Sequence, residues 1–124
     1  MGTTCLIAAS VAGLLHVAIF YLESVSFSRP ATYRRFQVAD DRQAETVAPW
    51  AFNQGFYNLF LAIGTLTGVV VWLAGRHHEG RTLIGFGCAC MLGAALVLLG
   101  TDRRMARAAL LQGVPPLVAL ATIW

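Results

Sequence analysis

The chain has 124 residues, of which 57% are hydrophobic and only 12% are charged. Because soluble domains carry about a quarter charged residues, this composition excludes an ordinary soluble protein and indicates a membrane protein. The net charge of +3 is the balance of nine basic residues, all of them arginine, against six acidic residues. These arginines lie between apolar runs, so we interpret them as signals of membrane topology and predict no nucleic-acid partner.

Four apolar runs follow one another, and each is long enough for a membrane-spanning helix of about 17 to 25 residues. We predict an all-α protein, an integral membrane four-helix bundle with one transmembrane domain over residues 1–124. The predicted spans cover residues 3–25, 50–75, 82–100 and 108–124. The second and third connections are short, which makes the last three spans antiparallel neighbours. The first connection is long and polar, and we expect it to lie on the membrane surface.

The arginines also predict how the spans are oriented. Seven of the nine lie in the first and third connections, and two lie in the second. Cytoplasmic loops of membrane proteins are enriched in arginine. We therefore predict a long first cytoplasmic loop, a cytoplasmic third loop and both termini outside, in a multi-pass protein.

Polar side chains interrupt the first part of the second span, residues 50–61. Amide groups in hydrocarbon are costly unless they are hydrogen-bonded. Helical spacing predicts one inward face with the residues Asn53, Gln54, Tyr57, Asn58, Gly64, Thr65 and Gly68. It predicts an opposite, lipid-facing side with Phe52, Phe56, Leu59, Ile63 and Leu66.

The first and fourth spans carry polar residues at the same predicted depth. His16 lies seven residues before Glu23 and on the same helical face, with Phe20 between them, and Gln112 lies in the fourth span. Three spans thus bring polar groups together, which predicts an interior cavity open toward the cytoplasm. A packing explanation remains for each group: the amides as contacts between helices, His16 as a neutral core residue, Glu23 and Tyr57 as interfacial residues.

The remaining motifs do not predict a metal or cofactor site. The carboxylates near residue 40 only approximate an aspartate-rich magnesium motif, and the paired histidines lie in a short turn. We interpret both groups as solvated, and the cysteines as small buried hydrophobic residues. The residues concerned are Asp40, Asp41, Glu45, His77, His78, Cys5, Cys88 and Cys90.

Three segments resemble a family of short four-span bacterial membrane proteins that is mostly described as a domain of unknown function. They are Leu-Leu-His-Val-Ala-Ile-Phe-Tyr-Leu-Glu-Ser, Asn-Gln-Gly-Phe-Tyr-Asn-Leu-Phe-Leu-Ala and Leu-Gln-Gly-Val-Pro-Pro-Leu-Val-Ala-Leu. Asn-Gln-Gly-x-Tyr-Asn is the most specific part. Proteins of similar size and layout look like the small integral-membrane terpene cyclases of bacterial indole-terpenoid pathways, of the xiamycin and drimentine types.

That resemblance implies an isomerase of secondary metabolite biosynthesis in the bacterial plasma (inner) membrane. It implies a linear prenyl chain, often farnesyl on an indole, cyclised after protonation of a terminal alkene or epoxide. The expected partners are membrane lipid and this hydrophobic prenylated molecule, and self-association into a homo-oligomer is left open.

The polar residues suit this chemistry, with Glu23 as the general acid, because burial favours the neutral form of a carboxyl group. His16 would relay or accept a proton. The aromatic faces of Phe20, Trp50, Tyr57 and Phe60 would stabilise carbocations. The amides of Asn53, Gln54, Asn58 and Gln112 would orient Glu23 or the substrate head group. The alternative is a non-enzymatic carrier or helper subunit, whose polar groups bind a lipid-like solute or a partner helix.

Overall fold

The computed structural model describes residues 1–124, which form helices and connecting turns without any strand. Helix α1, Thr3–Phe20, continues into a π-helical turn, Tyr21–Val25. A short helix α2, Pro30–Tyr33, continues into a 3-10 turn, Arg34–Phe36. The long helices α3, Asp41–Leu73, and α4, His77–Thr101, follow. A 3-10 turn, Arg103–Met105, leads into α5, Ala106–Ala121.

The four long helices form a bundle in which α1 and α4 lie diagonally opposite, each packed between α3 and α5. Small residues allow the helices to approach closely. A Cβ atom at Gly68 would lie 2.9 Å from the backbone nitrogen of Ile84, and one at Gly113 would lie 2.9 Å from the Cβ of Ala95. These contacts hold α4 against α3 on one side and against α5 on the other.

Three helices are long and apolar enough to cross a membrane: Thr3–Val25, Asp41–Leu73 and His77–Thr101. This confirms a helical membrane protein, whose outer surface would contact lipid. Helix α5 has 16 residues, which at about 1.5 Å per residue falls short of a hydrocarbon core of about 30 Å. The fourth span and the orientation of the bundle therefore stay predictions.

Helix α3 begins at Asp41, well before the predicted start of the second span at Trp50. Local capping explains the early start, since the Asp40 carboxylate accepts a hydrogen bond from the Gln43 backbone nitrogen at 2.8 Å. The Gln43 side chain in turn accepts one from the Ala39 nitrogen at 2.8 Å. Pro49 lies inside the helix. With 33 residues, α3 is about 50 Å long, so it extends beyond a hydrocarbon core of about 30 Å.

Residues 26–40, which we call the cap, fold back onto this extension of α3. The buried side chains of Phe27, Tyr33 and Val38 form one apolar cluster with Ala44 and Ala51 of α3. The Tyr33 hydroxyl donates a hydrogen bond of 2.6 Å to the Asp41 carboxylate. The predicted long loop is therefore shorter than expected, and it packs on protein at one end of the bundle.

Candidate functional site

The π-helical turn at the end of α1 places Glu23 against α3. The Ser26 nitrogen donates to the Tyr21 carbonyl oxygen at 2.9 Å, the five-residue spacing of a π turn. The Ser24 hydroxyl donates to the Phe52 carbonyl oxygen at 2.8 Å. Gly55 makes this approach possible, because a Cβ there would overlap the Ser24 hydroxyl and lie 3.1 Å from the Glu23 Cβ. Single π turns occur frequently at functional sites.

One hydrogen bond holds the Glu23 carboxyl group. The Asn58 side-chain nitrogen donates to Glu23 Oε2 at 2.7 Å and also to the Gln54 carbonyl oxygen at 3.2 Å. Both side chains are partly buried. Glu23 forms no salt bridge. Its second oxygen, Oε1, has no protein partner and is free to interact with a ligand.

The Glu23 side chain lines a cavity of about 340 Å³ between the cap and α3. Four of the predicted site residues line it: Glu23, Trp50, Asn53 and Gln54. The apolar lining comes from the cap and the α3 extension, namely Phe27, Phe36, Val38, Val47 and Ala51. Trp50 is 77% exposed, which places it at the rim. The cavity therefore combines one carboxyl group, two amides and three aromatic rings.

Two of the residues that were predicted for this site lie elsewhere in the bundle. His16 is buried in the bundle interior, where its Nδ1 donates a hydrogen bond of 2.9 Å to the Ala12 carbonyl oxygen. Gln112 is partly buried in α5, and it has no hydrogen bond to Glu23, Asn53 or Asn58. Neither His16 nor Gln112 lines the cavity. The predicted meeting of three spans is thus a contact of two, α1 and α3.

The aromatic predictions also need correction. Tyr57 and Phe60 are 59% and 61% exposed on the outer side of α3. Phe20 packs edge-on against Phe56, with ring centroids 5.1 Å apart. Phe56, which was predicted to face lipid, therefore also contacts α1. Leu66, also predicted to face lipid, packs toward Gly13 of α1.

Small residues, rather than polar ones, form the inward face of α3. Its buried residues are Ala44, Ala51, Gly55, Ala62, Thr65 and Gly68. Asn58 lies on this face, while Asn53 and Gln54 are exposed toward the cavity mouth. Gly64 has open space where a Cβ would be. Helices that pack closely need small side chains at the contact. This requirement, rather than the pattern of polar residues, decides which side of α3 faces the bundle.

Sequence reasoning missed the contribution of the cap and of Ser24. Phe27 and Phe36 lay in a segment predicted as a surface loop. The hydrogen bond to the Asp41 carboxylate raises the pKa of Tyr33 above its ordinary value and ties the cap to α3. The spacing of Gly55 and Asn58 is the feature of the sequence that could have indicated where the π turn packs on α3.

A family model described as "Protein of unknown function (DUF1304)" matches residues 10–124. The chain belongs to this family, which confirms the predicted membership of a family of unknown function. Searches among curated proteins and among solved structures found no match. The matched segment includes Glu23, Gly55, Asn58 and the whole cap.

Proposed function

We propose that this member of the family is a membrane-embedded terpene cyclase, which isomerises a linear prenyl chain in the cavity beneath the cap. One observation carries the proposal. A single carboxyl group, Glu23, is held by Asn58 at the wall of a largely apolar and aromatic cavity of about 340 Å³. Such a cavity suits a hydrophobic substrate with few polar groups.

In this mechanism Glu23 begins the reaction in its protonated form. Its carbonyl oxygen accepts the hydrogen bond from Asn58, and its O–H donates to the substrate as a general acid. The proton adds to the terminal alkene carbon, an internal double bond attacks the resulting cation, and a ring C–C bond forms. The last cation returns a proton to the Glu23 carboxylate, so the product is an isomer of the substrate. With an epoxide, protonation instead opens the C–O bond and leaves a hydroxyl group.

Aromatic rings at the cavity would stabilise the intermediate cations. Trp50, Phe27 and Phe36 line the cavity, and cations are attracted to aromatic faces. The amides of Asn53 and Gln54 line the same cavity and would hold a polar head group such as an indole N–H. A prenyl chain dissolves in the hydrocarbon core and would reach Glu23 at the end of the span Thr3–Val25.

The proposal includes a topology. Helix α5 completes a fourth span, despite its length, because the bundle around it defines the membrane thickness. The arginine-rich end, which carries the cap, faces the cytoplasm of a bacterial cell. The prenylated substrate would then arrive on the cytoplasmic side.

A second candidate is a non-enzymatic helper subunit. The exposed hydroxyl-bearing ring of Tyr57 lies beside the exposed amide of Asn53 on α3, and polar groups at membrane depth favour a partner helix. In that case the purified protein would show no turnover and would copurify with another membrane protein through this side of α3.

Turnover of a farnesylated indole in membranes tests the proposal, with liquid chromatography and mass spectrometry detecting an isomer of unchanged mass. Glu23→Gln removes the acid, and Glu45→Gln is the matched control because Glu45 is an exposed carboxylate on α3. General acids contribute about 10²- to 10⁴-fold, so we expect Glu23→Gln to lose at least about 100-fold in rate while Glu45→Gln keeps wild-type turnover.

Equal turnover in the two variants would refute the acid role of Glu23, and absence of product in the folded wild-type protein would favour the helper subunit. Reaction in D₂O separates the substrates. Alkene protonation leaves one deuterium on carbon, whereas epoxide opening leaves it only on an exchangeable hydroxyl group.

A further inference from the structure

A second cavity lies at the opposite end of the bundle, between the start of α4 and the end of α5. Its volume is about 400 Å³. The polar lining consists of His78, Arg81 and Thr82, and the apolar lining includes Leu120, Ile123 and Trp124. None of these residues contributes to the Glu23 site.

Arg81 differs from the other arginines of the chain. It is the one arginine that is partly buried, and the other eight are exposed. Arg76 pairs with Glu79 at 3.0 Å and Arg104 pairs with Asp102 at 2.9 Å, whereas Arg81 forms no ion pair. A partly buried charge has less water around it and gains more from a counter-ion than an exposed charge does. No Asp or Glu side chain pairs with this guanidinium group, so it is open to an anion from outside the chain.

The surroundings of Arg81 hold it in place but do not neutralise it. The guanidinium carbon lies 4.9 Å from the ring centroid of Trp124, in a cation–π arrangement. Glu79, the acidic side chain near it in sequence, is bonded to Arg76. The Thr82 hydroxyl donates to the His78 carbonyl oxygen at 2.9 Å. The donors of Arg81 thus stay available, and a guanidinium group matches the geometry of phosphate oxygens.

The floor of the cavity is apolar, so it favours an anion that carries a hydrocarbon chain over a small inorganic anion. Leu120 and Ile123 form it, and Gly85 adds no side chain. A Cβ at Gly85 would lie 3.2 Å from Ile123 Cδ1, so a larger residue would narrow the groove. Arg81 also lies near the end of the candidate span His77–Thr101, which is the depth of lipid head groups.

We propose that this cavity binds the phosphate-bearing head group of an anionic membrane phospholipid. Arg81 supplies the charge, and Leu120 and Ile123 contact the beginning of an acyl chain. A free phosphate ion shares the first interaction but gains nothing from the apolar floor. This site is independent of the cyclase proposal.

Native mass spectrometry of the detergent-purified protein tests the site. Phosphatidylglycerol, phosphatidylcholine and inorganic phosphate are added in separate titrations to wild-type protein, Arg81→Gln and Arg76→Gln. Arg76 is the matched control, since it is an exposed arginine at the same end that already has a carboxylate partner. A hydrogen bond to a charged group contributes about 1.5 to 3 kcal/mol, so we expect roughly tenfold or greater loss of phosphatidylglycerol binding in Arg81→Gln alone.

Other results would overturn the assignment. Equal binding of phosphatidylglycerol and phosphatidylcholine by the wild-type protein removes the need for an anionic lipid. Competition by millimolar inorganic phosphate places a free anion in the site instead, and equal losses in both variants show only general charge attraction. If Arg81→Gln does not fold, Trp124→Leu decides, because unchanged phosphatidylglycerol binding in that variant overturns the assignment. Trp124→Leu, which keeps the charge but removes the stacked ring, should weaken phosphatidylglycerol binding by a smaller factor.

Discussion

Gly55→Ala should destabilise the bundle, although the same change usually strengthens a helix. Gly55 lies inside α3, where the π turn of α1 crosses it. A methyl group there would overlap the Ser24 hydroxyl and lie 3.1 Å from Glu23 Cβ. The Ser24 side chain must then move and release its 2.8 Å hydrogen bond to the Phe52 carbonyl oxygen.

The magnitude follows from opposing contributions. Overpacking costs about 1 to 3 kcal/mol, and a lost hydrogen bond inside a membrane bundle costs about 0.6 kcal/mol. Alanine regains up to about 1 kcal/mol of helix propensity over glycine. When the full helix propensity is regained, the expected net loss is about 0.6 to 2.6 kcal/mol. Gly64→Ala is the control in the same helix, because a Cβ there meets nothing within 4 Å, and it should be neutral or slightly stabilising.

The purified variants are unfolded in mixed micelles with increasing sodium dodecyl sulfate, and circular dichroism follows the loss of helix. The transitions give the free energy of unfolding of Gly55→Ala and of Gly64→Ala. Destabilisation of Gly55→Ala with unchanged or raised stability of Gly64→Ala supports the docking of the π turn. Equal changes in the two variants would show that α1 and α3 do not approach at Gly55.

Three further predictions use the same bundle. Asn58→Leu removes the hydrogen bond of Glu23, so it should lower the free energy of unfolding by about 1 to 3 kcal/mol. It should also reduce kcat more than it changes KM. Unchanged kinetics would exclude a positioning role for Asn58. The buried hydroxyl of Thr65 has no hydrogen-bond partner, so Thr65→Val should stabilise by about 1 kcal/mol, measured against exposed Thr67→Val, and a loss of stability would contradict this. The hydrogen bond that Tyr33 donates raises its pKa above the ordinary 10.0, so its stabilisation is present below pH 10 and is lost as the pH rises through the raised pKa. Thermal unfolding of Tyr33→Phe should lack this alkaline decline, and an identical decline in both proteins would refute it.

The helical membrane class was predictable because hydropathy and connection length are local properties of the sequence. The pairing of Glu23 with the polar part of α3 was also foreseen, since depth follows from counting residues along antiparallel helices. The partner proved to be Asn58, at 2.7 Å. His16, which was predicted to act deeper in the same cavity as Glu23, lies buried in the bundle interior and does not line that cavity.

The faces of α3 and the cap depended on contacts between distant residues. Tyr57 was predicted to face inward because it is polar, but the interface is formed by small residues that permit close approach. The segment from Ser26 to Asp40 has no periodic pattern, and Tyr33 becomes buried only because α3 extends back to Asp41. No local signal predicted that extension beyond the capping residues themselves.

The most direct test of the central claim is to locate a bound prenyl chain. A farnesylated indole with a photoreactive diazirine near its terminal alkene, activated in membranes and mapped by peptide mass spectrometry, reports the residues around the reacting end. We predict labelling of the π turn around Glu23 and of the cavity wall at Phe27, Phe36 and Trp50. The same labelling should occur in Glu23→Gln, which binds the substrate but does not convert it. Labelling confined to the outer side of α3 at Tyr57 and Phe60 would contradict a substrate site beneath the cap.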